Sequence, residues 1–303
     1  MKPFANLMPC DFKDPENVAK QKEALEKVRA ELGKEYTNVI NGKDYTTERK
    51  TVSNNPANPD EIVGTFQKAG KEHADIAIKA AYEAFKTWKD VPAEKRAQYL
   101  FDAAEICRQR RFEINAWMII ETGKNFAEAE ADTCEAIDFL ELYAREAIRY
   151  AQEQPLTPFP GEKNSYFYIP LGVGIAIPPW NFPFAIMLGI TTAAIAAGNT
   201  VVLKPSSDSP MMARLLFDIM KEVGLPDGVL NYLVASGAEA GDFMIEHPLT
   251  RFISFTGSME VGLRINELAA KKSPGQIWIK RVIAEMGGKD SIIVDSEADL
   301  DDA

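Results

Sequence analysis

The chain has 303 residues, 46% of them hydrophobic, with 45 acidic against 34 basic side chains and a net charge of −11. That length can bury one large core or two moderate ones, and the acidic balance argues against nucleic acid or an anionic membrane as a bulk partner. No apolar run reaches the ~18 residues of a membrane span, and the first residues lack a secretory apolar stretch, so a cytoplasmic protein is expected. The three cysteines, Cys10, Cys107 and Cys134, are far apart and make no disulfide framework or CxxC zinc pattern; with only two histidines, no metal site is expected.

Residues 15–33 read as a charged amphipathic helix with Val18, Leu25, Val28 and Leu32 near one face. Short extended pieces follow around "YTNVING" and "IVGTFQKAG". "HADIAIKAAYEAFKTW" carries an apolar helical stripe of Ala77, Ala81, Ala84, Phe85 and Trp88. "AEKRAQYLFDAAEICRQRR" and "FAEAEADTCEAIDFLELYAREAIRYA" continue the pattern, with Cys107 and Cys134 as core-facing residues. At 155 the texture changes. "PLTPFPGEKNSYFYIPLG" has four prolines and a Gly-Glu-Lys-Asn turn, and reads as a β-hairpin protruding from the domain.

From Gly172 strands and helices alternate. "VGIAI", "TVVLK", "VLNYLV", "RFISF" and "IWIKRVIAE" are strands; 184–197, 210–223, 238–246 and 258–272 are helices. Such alternation means βαβ units: an α/β fold with a Rossmann-like parallel sheet and helices on both faces. Ligands on such sheets bind beyond the carboxyl ends of the strands.

Four motifs fall at those ends. "FTGSMEVG" (255–262) places Gly257 at a turn, Ser258 at a helix cap and Gly262 where the helix can approach the sheet; a helix N-terminus there suits a pyrophosphate, although an ordinary capped helix reads the same way. In "IPPWNFP" (177–183), a rigid loop, Asn181 could aim its amide at an oxyanion or simply bond its own backbone. "TVVLKPSSDSP" sets Lys204 at a strand end, where it could hold a ribose or a phosphate, or stand in solvent. In "AEMGGKD", Glu285 beside Gly287 and Gly288 could carry a raised pKa and act as a base, or be a strand-terminal surface residue.

Taken together, in this order and at these intervals, the four motifs resemble the aldehyde dehydrogenase superfamily over nearly the whole chain. "PFANLMPCDFKDPENV" and "SPGQIWIKRVIAEMGGKD" resemble, within it, the 1-pyrroline-5-carboxylate (glutamate γ-semialdehyde) dehydrogenases. The resemblance implies NAD-dependent oxidation of glutamate γ-semialdehyde to glutamate through a cysteine thioester, in proline and arginine breakdown. It implies Asn181 as oxyanion donor and Glu285 as general base. Lys204 would meet the adenosine ribose, Pro179 and Trp180 the nicotinamide side, and Ser258 a phosphate. The remaining implied cofactor contacts are Ile177, Pro178, Ser206, Ser207, Gly237, Gly241, Phe255, Thr256, Gly257, Val261, Met286 and Gly287. Glu135 and Phe182 would face the aldehyde substrate.

Two departures from the family pattern stand out. NAD-preferring relatives carry a glutamate three residues after the ribose lysine; here Ser207 stands there, so NAD is expected with NADP accepted more readily than usual. The family's Gly-Gln-x-Cys nucleophile loop lies beyond Glu285, and none of the three cysteines matches it. The expected organisation is an N-terminal part of the cofactor domain (1–153), an oligomerisation hairpin (154–171), the NAD-binding core (172–284) and the start of an incomplete catalytic domain (285–303). A homo-oligomer, at least a dimer, is expected from the hairpin's apolar edges. The alternatives are a succinate or glutarate semialdehyde dehydrogenase, or a non-catalytic NAD-binding fragment.

Overall fold

The computed structural model describes residues 3–301. The N-terminal half runs α1 (Pro15–Arg29), β1 (Lys34–Tyr36), β2 (Asn38–Ile40), β3 (Lys43–Tyr45), β4 (Lys50–Asn55), β5 (Asn58–Gln67), α2 (Lys71–Trp88), α3 (Ala93–Gln109), α4 (Arg111–Thr122) and α5 (Phe126–Ala151). Asp14 starts α1 by accepting the Glu16 N–H, and Asn125 and Glu128 close a reciprocal capping box at the start of α5. Helix α4 is the one long helix that the pattern reading does not single out. Its buried face, from Ile114 to Glu121, mixes Asn115 and Glu121 with apolar residues and so blurs the stripe.

The second half is β6 (Val173–Ile177), α6 (Ala185–Ala196), β7 (Thr200–Leu203), α7 (Pro210–Glu222), β8 (Leu230–Tyr232), α8 (Asp242–Glu246), β9 (Thr250–Thr256), α9 (Met259–Ala270) and β10 (Arg281–Glu285). A π-helical turn, Gly237–Gly241, leads into α8, so the helix expected over 238–246 is broken into two turns of different pitch.

The main sheet has seven strands in the order β10-β9-β6-β7-β8-β2-β3. The strands from β10 to β8 run parallel; β2 joins β8 antiparallel at Val39 opposite Tyr232, and β3 returns antiparallel on β2. The sheet is therefore mixed. The N-terminal hairpin turns at Asn41–Gly42, both with positive φ (52° and 71°), the backbone of a two-residue primed turn. Strands β1, β5 and β4 form a separate three-stranded sheet.

Helices cover both faces, and strand periodicity shows how. Val201 and Leu203 of β7 pack in one core with α3, α5, α6 and α7, while Val202 between them packs in the other with α2, α8 and α9. In β9, Phe252 faces the first core, and Ile253 and Phe255 the second. On β6, a Cβ on Gly174 would sit 2.1 Å from the Phe252 ring, so this central strand leaves a side-chain-free slot for the ring of its neighbour. Edge strand β10 is covered on one face only: Val282 and Ala284 pack inward and Ile283 is exposed.

The segment 154–171 corrects one expectation. The chain reverses at Pro160–Gly161, but no strand forms among these residues, and their two arms share a single backbone hydrogen bond, Gln154 N–H to Tyr166 O at 3.3 Å. Pro155, Pro158 and Pro160 have no N–H to donate, so a hairpin ladder cannot run along that arm. Among the described residues no helix is long and apolar enough to cross a membrane.

Candidate cofactor and active site

The path of the chain creates a crevice before any side chain is considered. From β6 it moves outward through α6, β7, α7 and β8, then crosses back through α8 to place β9 on the other side of β6. The loops leaving β6 and β9 therefore diverge to opposite faces at their carboxyl ends, the switch point at which open α/β sheets bind ligands.

A cleft of about 620 Å³ opens there. It is lined by Ile177, Pro178, Pro179, Trp180 and Asn181 after β6, Lys204, Ser206, Ser207 and Asp208 after β7, Phe255, Thr256, Gly257, Ser258 and Val261 after β9, and Met286 and Gly287 after β10. The structure thus brings residues from four separate motifs to one wall-to-wall space. Gly237 and Gly241 are not in that lining. Gly241 instead backs it, since a Cβ there would lie 3.9 Å from Lys204 Cε.

Lys204 is the most telling member. Its side chain is 7% exposed, and its Nζ donates only to its neighbour's carbonyl, Pro205 O, at 3.1 Å. Burial lowers its pKa to about 8. A lysine has three N–H donors, so two have no acceptor among the described residues. A buried, under-partnered ammonium on a cleft wall fits hydroxyl or phosphate oxygens.

On the opposite side, Ser258 caps α9 by accepting the Val261 N–H at 3.3 Å. Gly262 earns its place by contact rather than by turn geometry: a Cβ there would meet Met286 Sδ at 2.5 Å, so α9 lies close against the chain leaving β10. Gly257 likewise has no positive φ; its missing Cβ leaves room for the Phe255 ring, 2.7 Å away from where it would be. The chain does bend at Gly257 between β9 and α9, and the glycine is needed there for packing rather than for a left-handed φ.

Asn181 is exposed in its loop, and its Oδ1 accepts the N–H of Phe182 at 3.1 Å. Its Nδ2 donors have no acceptor among the described residues. Glu285 ends β10 opposite Thr256, and its carbonyl accepts the Gly257 N–H at 3.0 Å. Its side chain is exposed and stands outside the cleft lining.

Lys124 contacts the Phe182 ring directly and acts on Glu135 only through its charge. Lys124 Nζ lies 4.2 Å from the centre of the Phe182 ring and 2.9 Å from Asp132 Oδ2. Burial, and then the Asp132 charge, raise the Glu135 carboxyl, while Lys124 pulls it back. Cys107 and Cys134 are buried on α3 and α5, and burial pushes both thiols up to about 12, the opposite of an activated nucleophile. Asp208 escaped the sequence reading. It follows Ser207 directly and brings to the cleft a carboxylate that position 207 lacks.

The family model described as the aldehyde dehydrogenase family matches residues 44–303. The chain belongs to the aldehyde dehydrogenase family. Among curated relatives, the 1-pyrroline-5-carboxylate dehydrogenase of Geobacillus thermodenitrificans (strain NG80-2) is 58% identical over 278 residues, covering 92% of this chain and 54% of the relative. The enzyme of that name from Geobacillus sp. (strain WCH70) is 54% identical, covering 99% of this chain and 58% of the relative. Among solved structures, 1-pyrroline-5-carboxylate dehydrogenase from Thermus with bound NAD superposes with a TM-score of 0.93 at 47% identity, over 95% of this chain and 56% of that one. The chain spans a little over half the length of these aldehyde dehydrogenase relatives.

Proposed function

We propose that this chain forms the cofactor-binding part of an NAD-dependent aldehyde dehydrogenase that oxidises glutamate γ-semialdehyde to glutamate. The carrying observation is the single cleft that collects Asn181, Lys204, Ser207 and Ser258 at the switch point between β6 and β9. The relatives' name supports the substrate, and the Thermus structure with bound NAD supports the cofactor.

In this reading Lys204 and Ser207 hold the adenosine ribose. The N-terminus of α9, opened by Ser258, faces a phosphate, and Pro179 and Trp180 wall the nicotinamide side. Bound NAD supplies the hydride acceptor. Asn181 Nδ2, left to donate once Phe182 occupies its Oδ1, holds the oxyanion that forms on the aldehyde oxygen when a cysteine thiolate adds to the carbonyl carbon. That cysteine is none of Cys10, Cys107 and Cys134. Glu285 takes the proton of the water that releases the acid. Glu135 and Phe182 face the substrate, Glu135 toward its α-amino group.

The exposed apolar side chains of 156–169, among them Phe159, Phe167 and Ile169, support pairing with a second copy of the chain. Sedimentation of the protein against a variant with serine at those three positions tests this reading, and an unchanged mass removes it.

Titrating the chain with NAD while following tryptophan emission tests the cofactor reading, because Trp180 stands 56% exposed on the cleft wall. Saturable quenching that Lys204→Met abolishes is the expected result; equal quenching in that variant rejects it. In a polypeptide of the relatives' length carrying this sequence, Glu285→Gln leaves one burst of NADH per site while steady turnover falls by about 10²–10⁴-fold. Normal steady turnover there removes Glu285 from the chemistry.

A further inference from the structure

Helix α7 begins without a cap of its own. Ser209, at its N-cap, makes no side-chain cap bond, and Pro210 fills the first position with no N–H. The next two amides are both met from elsewhere in the fold. Met211 N–H donates to Glu121 Oε1 at 2.9 Å and Met212 N–H to Glu121 Oε2 at 3.0 Å. Glu121 lies near the end of α4, 90 residues upstream, and is 2% exposed. Ser53 Oγ on β4 donates to the same Oε1 at 3.0 Å.

What this carboxyl anchors is the β7–α7 loop. Lys204, Ser206, Ser207 and Asp208 line the cofactor cleft, and the next residues, Ser209 and Pro210, lead straight into the end that Glu121 holds. Inside the loop the restraints are long: Asp208 N–H to Ser206 Oγ at 3.3 Å and Ser209 N–H to Ser206 O at 3.4 Å. A second cavity of about 310 Å³, lined by Glu121 and Ser53 among others, shares Trp180, Ser207 and Asp208 with the cofactor cleft. Ser207 and Asp208 thus border two cavities and have few packing partners to fix them, so the loop's position depends on its ends. One end is strand β7, paired with β6 and β8; the other is the bidentate grip of Glu121.

We infer that Glu121 is a positioning residue for the cofactor cleft: as a cap supplied from α4, it sets where Ser207 and Asp208 stand, and with them the affinity for the cofactor ribose and the discrimination against a 2′-phosphate. The inference rests on the cofactor reading above. It adds a residue that touches no cofactor and that lies outside all four motifs.

The test measures NAD and NADP dissociation constants on the full chain for wild type, Glu121→Ala and Glu121→Gln, with circular dichroism to establish that each is folded. Glu121→Ala weakens NAD binding about tenfold, the size of losing a helix cap. It also moves the NAD-to-NADP ratio by about fivefold, the worth of one like-charge contact in water. General destabilisation would scale both cofactors together and leave that ratio alone. Glu121→Gln keeps one carbonyl oxygen for one of the two amides and falls between; it also carries the test if the alanine variant does not fold. Wild-type affinities and ratio in every folded variant overturn the inference while leaving the cofactor reading intact. A wild-type chain that takes up neither dinucleotide overturns the reading, and the inference with it.

Discussion

Asp132 Oδ1 accepts the N–H of Ala185 at 2.6 Å, so a carboxylate on α5 closes the N-terminus of α6. Helix α6 has no side-chain cap of its own, and the loop it closes is the one that carries Trp180, Asn181 and Phe182. Lys124 pairs with the other oxygen and covers the Phe182 ring, so one buried ion pair ties the loop's end and its aromatic residue to α5. Burial raises the Asp132 carboxyl, with Lys124 pulling it back.

Removing one partner of a buried pair strands the other charge and typically costs roughly 3–5 kcal/mol, whereas replacing both is often close to neutral. Asp132→Ala should lower unfolding free energy by that order, and Asp132→Ala with Lys124→Met should recover much of it. Urea unfolding of the two variants measures this. Equal losses in both would mean that the missing α6 cap, not the stranded lysine, carries the cost.

On the cofactor reading proposed above, Lys204 trades stability for affinity. Burial holds the Lys204 ammonium at about 8, below the ordinary lysine value of 10.5, so the native state releases this proton first. The cost of burying the cation is fully present below about pH 8 and fades as pH rises toward 10.5, by up to about 3 kcal/mol. Lys204→Met should therefore stabilise the ligand-free chain at pH 7 and lose that advantage by pH 10, while weakening NAD at pH 7. Denaturation midpoints at the two pH values decide it; a less stable variant at pH 7 contradicts the account.

Glu121 has the opposite linkage. Burial raises its carboxyl to about 8 against the pull of two amides and Ser53. The folded state holds this proton more tightly than the unfolded one, so its contribution to stability is fully present below the ordinary glutamate value of 4.5 and is lost as pH rises through about 8. When protonated, Glu121 keeps one carbonyl oxygen for one of the two amides, as Glu121→Gln does, while its O–H can donate to Ser53, which turns from donor to acceptor. Wild type should lose roughly 4 kcal/mol more than Glu121→Gln between pH 4.5 and 8, read from urea unfolding at both ends. Parallel pH profiles would place the proton elsewhere.

The Ser207–Asp208 pair predicts cofactor choice. A carboxylate near the ribose repels a 2′-phosphate by about 1 kcal/mol in water and about 4 kcal/mol at an effective dielectric of 20. Asp208→Asn should improve NADP binding about fivefold or more while sparing NAD, and Ser207→Glu should worsen NADP. Dissociation constants for both dinucleotides check it. An unchanged ratio in both variants would place the 2′-position away from this loop.

Much of the fold is local and was legible. Strand β6 spans Val173–Ile177 and helix α5 spans Phe126–Ala151, the bounds of the runs "VGIAI" and "FAEAEADTCEAIDFLELYAREAIRYA". The residues that line the cleft were legible as residues just beyond strand ends, whereas Gly237, Gly241 and Glu285 fall outside its lining. The prolines of 155–160 were legible as residues but misjudged in effect, since a hairpin turn can be written without the donors its ladder needs.

What the residues determined by themselves is the sequence of elements and the chemistry offered at each strand end, because helix periodicity, caps and turns depend on neighbours a few positions apart. Tertiary structure alone decided strand order, with β9 returning beside β6 and β2–β3 joining the sheet edge from residues 38–45. It alone buried Lys204, brought Asp208 into the cleft, and set Glu121 and Asp132 as caps for helices 90 and 53 residues away. These are contacts between distant segments, fixed by which apolar faces find each other, and no spacing along the chain records them.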